Sequence, residues 1–376
     1  MKIVTNIARV LVGALFIFSG FIKANDPLGF GYKLKEYFEV FNMDFFIPLA
    51  TFLAIFICIF EVAVGFALLI GARVKLVLWL LSLMMVFFTF LTFYSAYYNK
   101  VTSCGCFGDA IPLTPWQSFY KDIVLSTLTL ILIIGRALIK PLFGPRMESI
   151  ALGLFTIASV IFPIYTYSYM PVIDFRPYKI GTNLNRAMHP KEKFFYVFKN
   201  KENKIEEFDH WLTDADSDTS SVWKPGVNWK YVKSRTEPID KTVTPIVGFF
   251  MQNAAGEDHA DELLTAPGCS FFLVEFDLDK SNRSIQGTVN DFAQLCKKDG
   301  IPFVGLTSAP VEKIEAFKKE VNASYDFYIS PDDVPLKAMI RSNPGLVMVK
   351  DSVVTAMWPY RSFPSYNDVK EKYFKK

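Results

Sequence analysis

The chain has 376 residues, 51% of them hydrophobic and 16% aromatic, and its mean hydropathy of +0.25 is too high for an average soluble enzyme. A net charge of +3, from 40 Lys and Arg against 37 Asp and Glu, leaves no electrostatic footprint for nucleic acid. Five Cys and three His, with the His all distant in sequence from the cysteine pair described below, do not make a zinc centre, and no metal is expected.

The first apolar run covers residues 3–22, after Lys2. A signal peptide starts in the same way, but this run is long. It is followed by Lys23-Ala24-Asn25-Asp26-Pro27 instead of a small-residue cleavage site, and more apolar runs come after it, so it reads as a retained helix. Four further runs, 46–70, 74–97, 120–139 and 150–170, each approach the ~20 residues that cross a bilayer. The loops on the N-terminal side carry Arg73, Lys75, Arg136, Lys140 and Arg146, whereas the opposite loops mix Lys with Asp and Glu. The positive-inside rule therefore predicts a cytoplasmic N-terminus, a bacterial inner-membrane location, and an extracytoplasmic face for everything after Met170.

Glu61 falls near mid-depth of the second span, where an unpaired charge costs several kcal/mol. It reads either as part of a proton relay or small-molecule site, or as a carboxyl bonded to a Ser or Thr of a neighbouring helix. Cys58 shares its helix face and reads as packing.

Arg9-Val10-Leu11-Val12-Gly13, then Phe18-Ser19-Gly20-Phe21-Ile22-Lys23-Ala24 before Asp26-Pro27, and Glu61 followed by Gly65 and Gly71, resemble the DoxX-type membrane proteins. The loop Cys104-Gly105-Cys106-Phe107-Gly108, with Trp116-Gln117-Ser118-Phe119-Tyr120-Lys121-Asp122 after it, is similar to the MauE branch of methylamine-utilisation proteins. That resemblance implies a four-helix membrane bundle associated with maturation of a disulfide-rich periplasmic protein. A fifth helix and a long C-terminal region depart from the pattern.

A disulfide closed across one residue is strained and readily exchanged, and Gly105 tolerates the backbone angles that closure needs. Three readings of the loop stand side by side. In the first, Cys104 and Cys106 relay electrons from thiols of an extracytoplasmic client to a membrane quinone, with Glu61, Lys121 and Asp122 handling protons or tuning thiol acidity. In the second, one of the two forms a structural disulfide with Cys269 or Cys296. In the third they are incidental thiols.

After Met170, Pro171 to Asn183 reads as an ordered linker. β-prone runs at 193–199 and 204–208 flank Asn200-Lys201-Glu202-Asn203, a hairpin signal, and Trp223-Lys224-Pro225-Gly226 before the alternation at 229–233 signals another. From about residue 244 the pattern is α/β. A buried strand at 270–277 precedes a helix at 284–299, a strand at 302–307, a helix at 310–322, a strand at 325–329 and a helix at 332–342. Two strands, 346–350 and 353–358, then join at Asp351-Ser352, and a helix at 365–374 ends the chain. This order resembles thioredoxin-fold proteins, a likeness that implies a cis-proline at Pro344. Where those proteins carry Cys-x-x-Cys, this chain has Phe276-Asp277-Leu278-Asp279-Lys280-Ser281-Asn282, without a cysteine. Cys269 and Cys296 read either as a structural disulfide or as a buried inert pair.

The expected fold class is thus an α-helical membrane bundle of about five helices, followed by an extracytoplasmic α/β thioredoxin-like domain with a small β-rich segment. The expected divisions are a bundle at 1–145, a fifth membrane helix at 146–172, a linker and β-rich segment at 173–243, and the thioredoxin-like domain at 244–376. Expected partners are the lipid bilayer and an extracytoplasmic protein client. The competing function is a non-catalytic anchor or assembly protein whose outer domain binds a partner.

Overall fold

The computed structural model describes residues 1–101, 105–200, 204–208, 229–240 and 244–374. Cys104 and the hairpin expected at Trp223-Lys224-Pro225-Gly226 fall outside them. The chain folds as two compact units. The first comprises Met1–Arg176 with Ile340–Gly345 and Trp358–Pro364; the second comprises Pro177–Met339, Leu346–Met357 and Ser365–Lys376. Two short late segments thus join the unit built from the first half of the chain, which a simple division at residue 244 does not capture.

The first unit holds α1 (Lys2–Asn25), α2 (Pro27–Val40), α3 (Ala50–Ile70), α4 (Val74–Tyr98), α5 (Pro115–Ile134) and α6 (Pro145–Ser168). Among the described residues five helices are long and apolar enough to cross a membrane, all of these except α2. Helix α2 is additional to the expected elements. Its start is encoded by Asp26, which accepts from the Gly29 amide at 2.9 Å, and by Pro27 at the first helical position. A 3-10 stretch, Asp44–Leu49, then leads into α3. Helix α5 begins five residues before the expected position, since Thr114 and Gln117 form a reciprocal capping box with Pro115 at the first turn.

Helices α1 and α3 pack closely because small residues let their backbones approach. A Cβ at Gly20 would lie 2.9 Å from the Cys58 carbonyl oxygen. Val12, Phe16, Leu68, Leu81, Met85 and Leu132 form the apolar centre of the bundle. Outward-facing Phe52, Phe87, Phe90, Leu154, Ile157 and Ile161 are exposed, the pattern of helices solvated by lipid chains.

In the second unit, α7 (Leu184–Met188) precedes a three-stranded antiparallel sheet of β1 (Glu192–Asn200), β2 (Ile205–Phe208) and β3 (Trp229–Pro238), in the order β2-β1-β3. After α8 (Ala260–Thr265) comes a five-stranded sheet whose strands are β4 (Cys269–Val274), β5 (Phe303–Thr307), β6 (Asp326–Ile329), β7 (Gly345–Lys350) and β8 (Val353–Pro359). Their order is β6-β5-β4-β7-β8. The connecting helices are α9 (Gln286–Lys298), α10 (Val311–Val321) and α11 (Asp333–Met339), and α12 (Tyr366–Val369) follows β8.

Strands β4, β5 and β6 are parallel, and β4 is buried along nearly its whole length, as a central parallel strand should be. Asp351 and Ser352, both at positive φ, close the β7–β8 hairpin in the conformation that a two-residue turn demands. Each edge of the sheet carries a further bridge: Asn183 pairs with Val353 beside β8, and Gln252 pairs with Ile329 beside β6.

Candidate functional site

Helix α1 carries Phe16, Gly20 and Lys23 on one buried stripe, spaced four and three residues apart. The stripe faces α3, and Lys23 Nζ donates to Glu61 Oε1 at 2.5 Å, with both side chains at most 3% exposed. Hydropathy alone ends the first span before Lys23. The helix continues to Asn25, so Lys23 lies within its last turn and turns inward. Glu61 therefore has a cationic partner in place of the Ser or Thr that the blander expectation supplies. Lys23 also sits over the rings of Phe30 and Phe88, at 5.1 and 5.2 Å.

A second ion pair forms on α5, where Lys121 Nζ lies 2.7 Å from Asp122 Oδ1. Asp122 is 1% exposed and accepts a hydrogen bond from Thr92 Oγ1 of α4 at 3.0 Å. Because α5 starts early, Lys121 and Asp122 sit within its second turn instead of opening the helix. Lys121 also reaches over the Phe107 ring, at 5.3 Å.

Between α4 and α5 the chain turns back on itself. Gly105 is left-handed at φ 72°, the region that glycine enters without penalty, and two turns follow, Gly108 N to Gly105 O and Ala110 N to Phe107 O. Ser19 Oγ on α1 donates to the Cys106 carbonyl at 3.1 Å, and Phe18 packs on Phe107. Cys106 is thereby folded inward and buried.

These groups meet at one cavity of about 30 Å³, room for a water or two. Its polar lining comprises Ser19, Lys23, Glu61, Cys106, Lys121 and Asp122, and its apolar lining includes Phe16, Met85 and Phe88. Glu61 Oε2 is buried with no hydrogen-bond partner among the described residues, an acceptor left open there in a low-dielectric site. Four residues conspicuous in the sequence, Glu61, Cys106, Lys121 and Asp122, therefore converge. Lys23 and Ser19, conspicuous in the sequence only within the motif from Phe18 to Ala24, join them, and Thr92 anchors Asp122. The signal for Lys23 is its spacing from Phe16 and Gly20.

The remaining sequence candidates lie elsewhere. Cys58 is buried in α3. Cys269 and Cys296 are separate thiols in the second unit, so neither the disulfide between them nor a bridge from either to Cys106 is formed. Cys269 opens β4 half-buried, whereas Cys296 points from α9 into the core, and burial pushes its thiol up to about 12. Burial raises the Cys269 thiol as well. The Asn343–Pro344 peptide is cis and lies in the first unit. No cluster of His, Cys, Asp and Glu able to hold a metal occurs among the described residues.

A bundle of apolar helices enclosing a thiol and two ion pairs defines a polytopic membrane protein with a built polar centre. Residues 1–135 are similar to the family of the methylamine utilisation protein MauE. The match ends within a residue of α5, and the rest of the chain lies beyond it. Comparisons with curated proteins and with solved structures returned no match.

Proposed function

We propose that the chain is a membrane thiol–disulfide oxidoreductase acting on extracytoplasmic proteins, with the Cys104-Gly105-Cys106 loop as its redox element. The observation that carries this reading is the placement of Cys106 on one cavity with the Lys23–Glu61 and Lys121–Asp122 pairs. In the first half-reaction a client dithiol becomes a disulfide while the Cys104–Cys106 disulfide becomes two thiols. In the second, those thiols are reoxidised as two electrons and two protons pass to a membrane quinone, which becomes a quinol. Lys23 and Lys121 share the cavity with Cys106, and the thiolate is the nucleophilic form that exchange requires. The open Glu61 Oε2 is a proton acceptor of the right polarity for the released proton.

In this reading the C-terminal α/β region is thioredoxin-like and presents clients. The strand order β6-β5-β4-β7-β8 supports the likeness, and the absence of cysteine from 276–282 favours a binding role for the region. The test is thiol trapping in cells before and after quinone depletion. Cys104 and Cys106 are expected to shift from disulfide to dithiol, and an unchanged state would refute the proposal.

A second reading is an assembly or anchoring protein without redox chemistry, favoured by the same lack of cysteines at 276–282. Under it, Cys104→Ser with Cys106→Ser leaves client maturation intact, whereas removal of residues 171–376 does not.

A further inference from the structure

Arg341 lies in Ile340–Gly345, one of the late segments that belong to the first unit. Its guanidinium is 8% exposed and grips Asp26 as a fork: Nε donates to both carboxylate oxygens, at 3.0 and 2.9 Å, and Nη2 lies 2.8 Å from Oδ2. The same Nη2 lies 3.6 Å from Asp109 Oδ2, and the guanidinium sits over the Tyr32 ring. Asp26 is three residues after Lys23 and caps α2; Asp109 is three residues after Cys106, at the end of its turn. One cation thus joins the α1–α2 junction to the loop that carries the thiol.

That cation is the largest favourable charge acting on both carboxylates. Burial works against the Asp26 charge, but Arg341, joined by the Gly29 amide and the Arg176 charge, outweighs it and holds the carboxyl below its usual range. Burial raises Asp109, with Arg341 lowering it, Asp26 raising it further, and Arg176 and Lys33 lowering it in turn. Without the guanidinium, Arg176 and Lys33 would be left to oppose the repulsion between Asp26 and the half-exposed Asp109, and the turn would relieve what remains by moving outward.

We propose that Arg341 is the positioning residue of the Cys106 turn, holding it against the α1–α2 junction by binding Asp26 and Asp109 at once. It comes from outside the residues matched by the MauE family, so the late segment completes a site that the family match alone leaves open. The proposal rests on Cys106 being the site's thiol, but not on its electron acceptor.

The test is site-resolved alkylation of the reduced, full-length protein in detergent, with buried Cys58 as the internal control for folding. Arg341→Met is expected to raise the Cys106 alkylation rate about tenfold, equivalent to about 1.4 kcal/mol of easier local opening. Arg341→Lys should give an intermediate rise, since a point charge replaces the fork. Asp109→Asn, which leaves the Asp26 fork intact, should give about a threefold rise, a smaller loosening of the same kind. Cys106 rates within twofold of wild type in both Arg341→Met and Asp109→Asn, with Cys58 protected, would overturn the proposal. Should Arg341→Met expose Cys58, Asp109→Asn decides alone, by rising or staying flat. Because the protein is reduced throughout, a Cys106 indifferent to quinone sinks the redox reading without touching this result.

Discussion

The cavity site of the first unit and the core of the second treat buried carboxylates in opposite ways. In the first, every buried charge at the site has a counter-charge: Lys23 with Glu61, Lys121 with Asp122, Arg341 with Asp26. In the second, Glu275 is fully buried just after β4 and accepts from neutral donors, Ser281 Oγ and the Gln286 amide, both at 2.6 Å, with no ion pair among the described residues. Burial pushes its carboxyl up to about 7, those two hydrogen bonds limiting the rise. Paired charges persist across a wide pH range and can tune a neighbouring thiol, whereas a lone buried acid neutralises itself instead. The cysteines follow the same division: Cys106 shares a cavity with cations, and Cys296 is packed in an apolar core.

The contrast breaks hardest at Lys23. Lys23→Met strands the Glu61 carboxylate and should destabilise the bundle by about 3–5 kcal/mol, whereas Lys23→Met with Glu61→Leu should recover most of that loss. Melting of the two variants in detergent checks this, and equal melting temperatures would show that the pair is not coupled.

Glu275 supplies the next largest effect. Its folded value near 7 exceeds the ordinary 4.5, so the folded state holds the proton more tightly, and stability falls as pH rises from about 4.5 to about 7. That interval corresponds to about 3 kcal/mol. Glu275→Gln should therefore stabilise the second unit by about that amount at pH ~8 and leave it unchanged at pH ~4. Hydrogen exchange at the β4 amides of the full chain reads the difference.

The smallest effect belongs to Cys296. Cys296→Ala should cost about 1 kcal/mol in melting and leave the redox state of Cys106 untouched. A change in the Cys106 state on that substitution would contradict the assignment of chemistry to the first unit alone.

Much of this architecture is readable from the chain. The five apolar spans follow from length and hydropathy, with ends shifted by a few residues, and the αβ alternation after residue 244 from periodicity and turn residues. The site is readable where a residue is conspicuous for its surroundings: Glu61 in an apolar run, Cys106 beside a glycine, Lys121-Asp122 after a cysteine loop. Lys23 is hidden because a lysine near the end of a span ordinarily reaches for the interface. Only its place on the Phe16–Gly20 stripe shows that it turns inward. Helix α2 is hidden because its apolar face is short, and its start lies in the Asp26-Pro27 cap. Arg341 is beyond reach, since its partners are 315 and 232 residues away in the chain and no local pattern links them.

The central claim is that Cys106 exchanges electrons with a carrier dissolved in the membrane. It is tested most directly by reducing the purified full-length protein in proteoliposomes, adding a membrane-soluble quinone, and following thiol loss and quinol formation together. Two thiols are expected to be lost per quinol formed, both at the Cys104-Gly105-Cys106 loop, with no quinol from Cys106→Ser. Thiols that persist in the presence of quinone, in a protein whose Cys106 still reacts with an alkylating reagent, would contradict it.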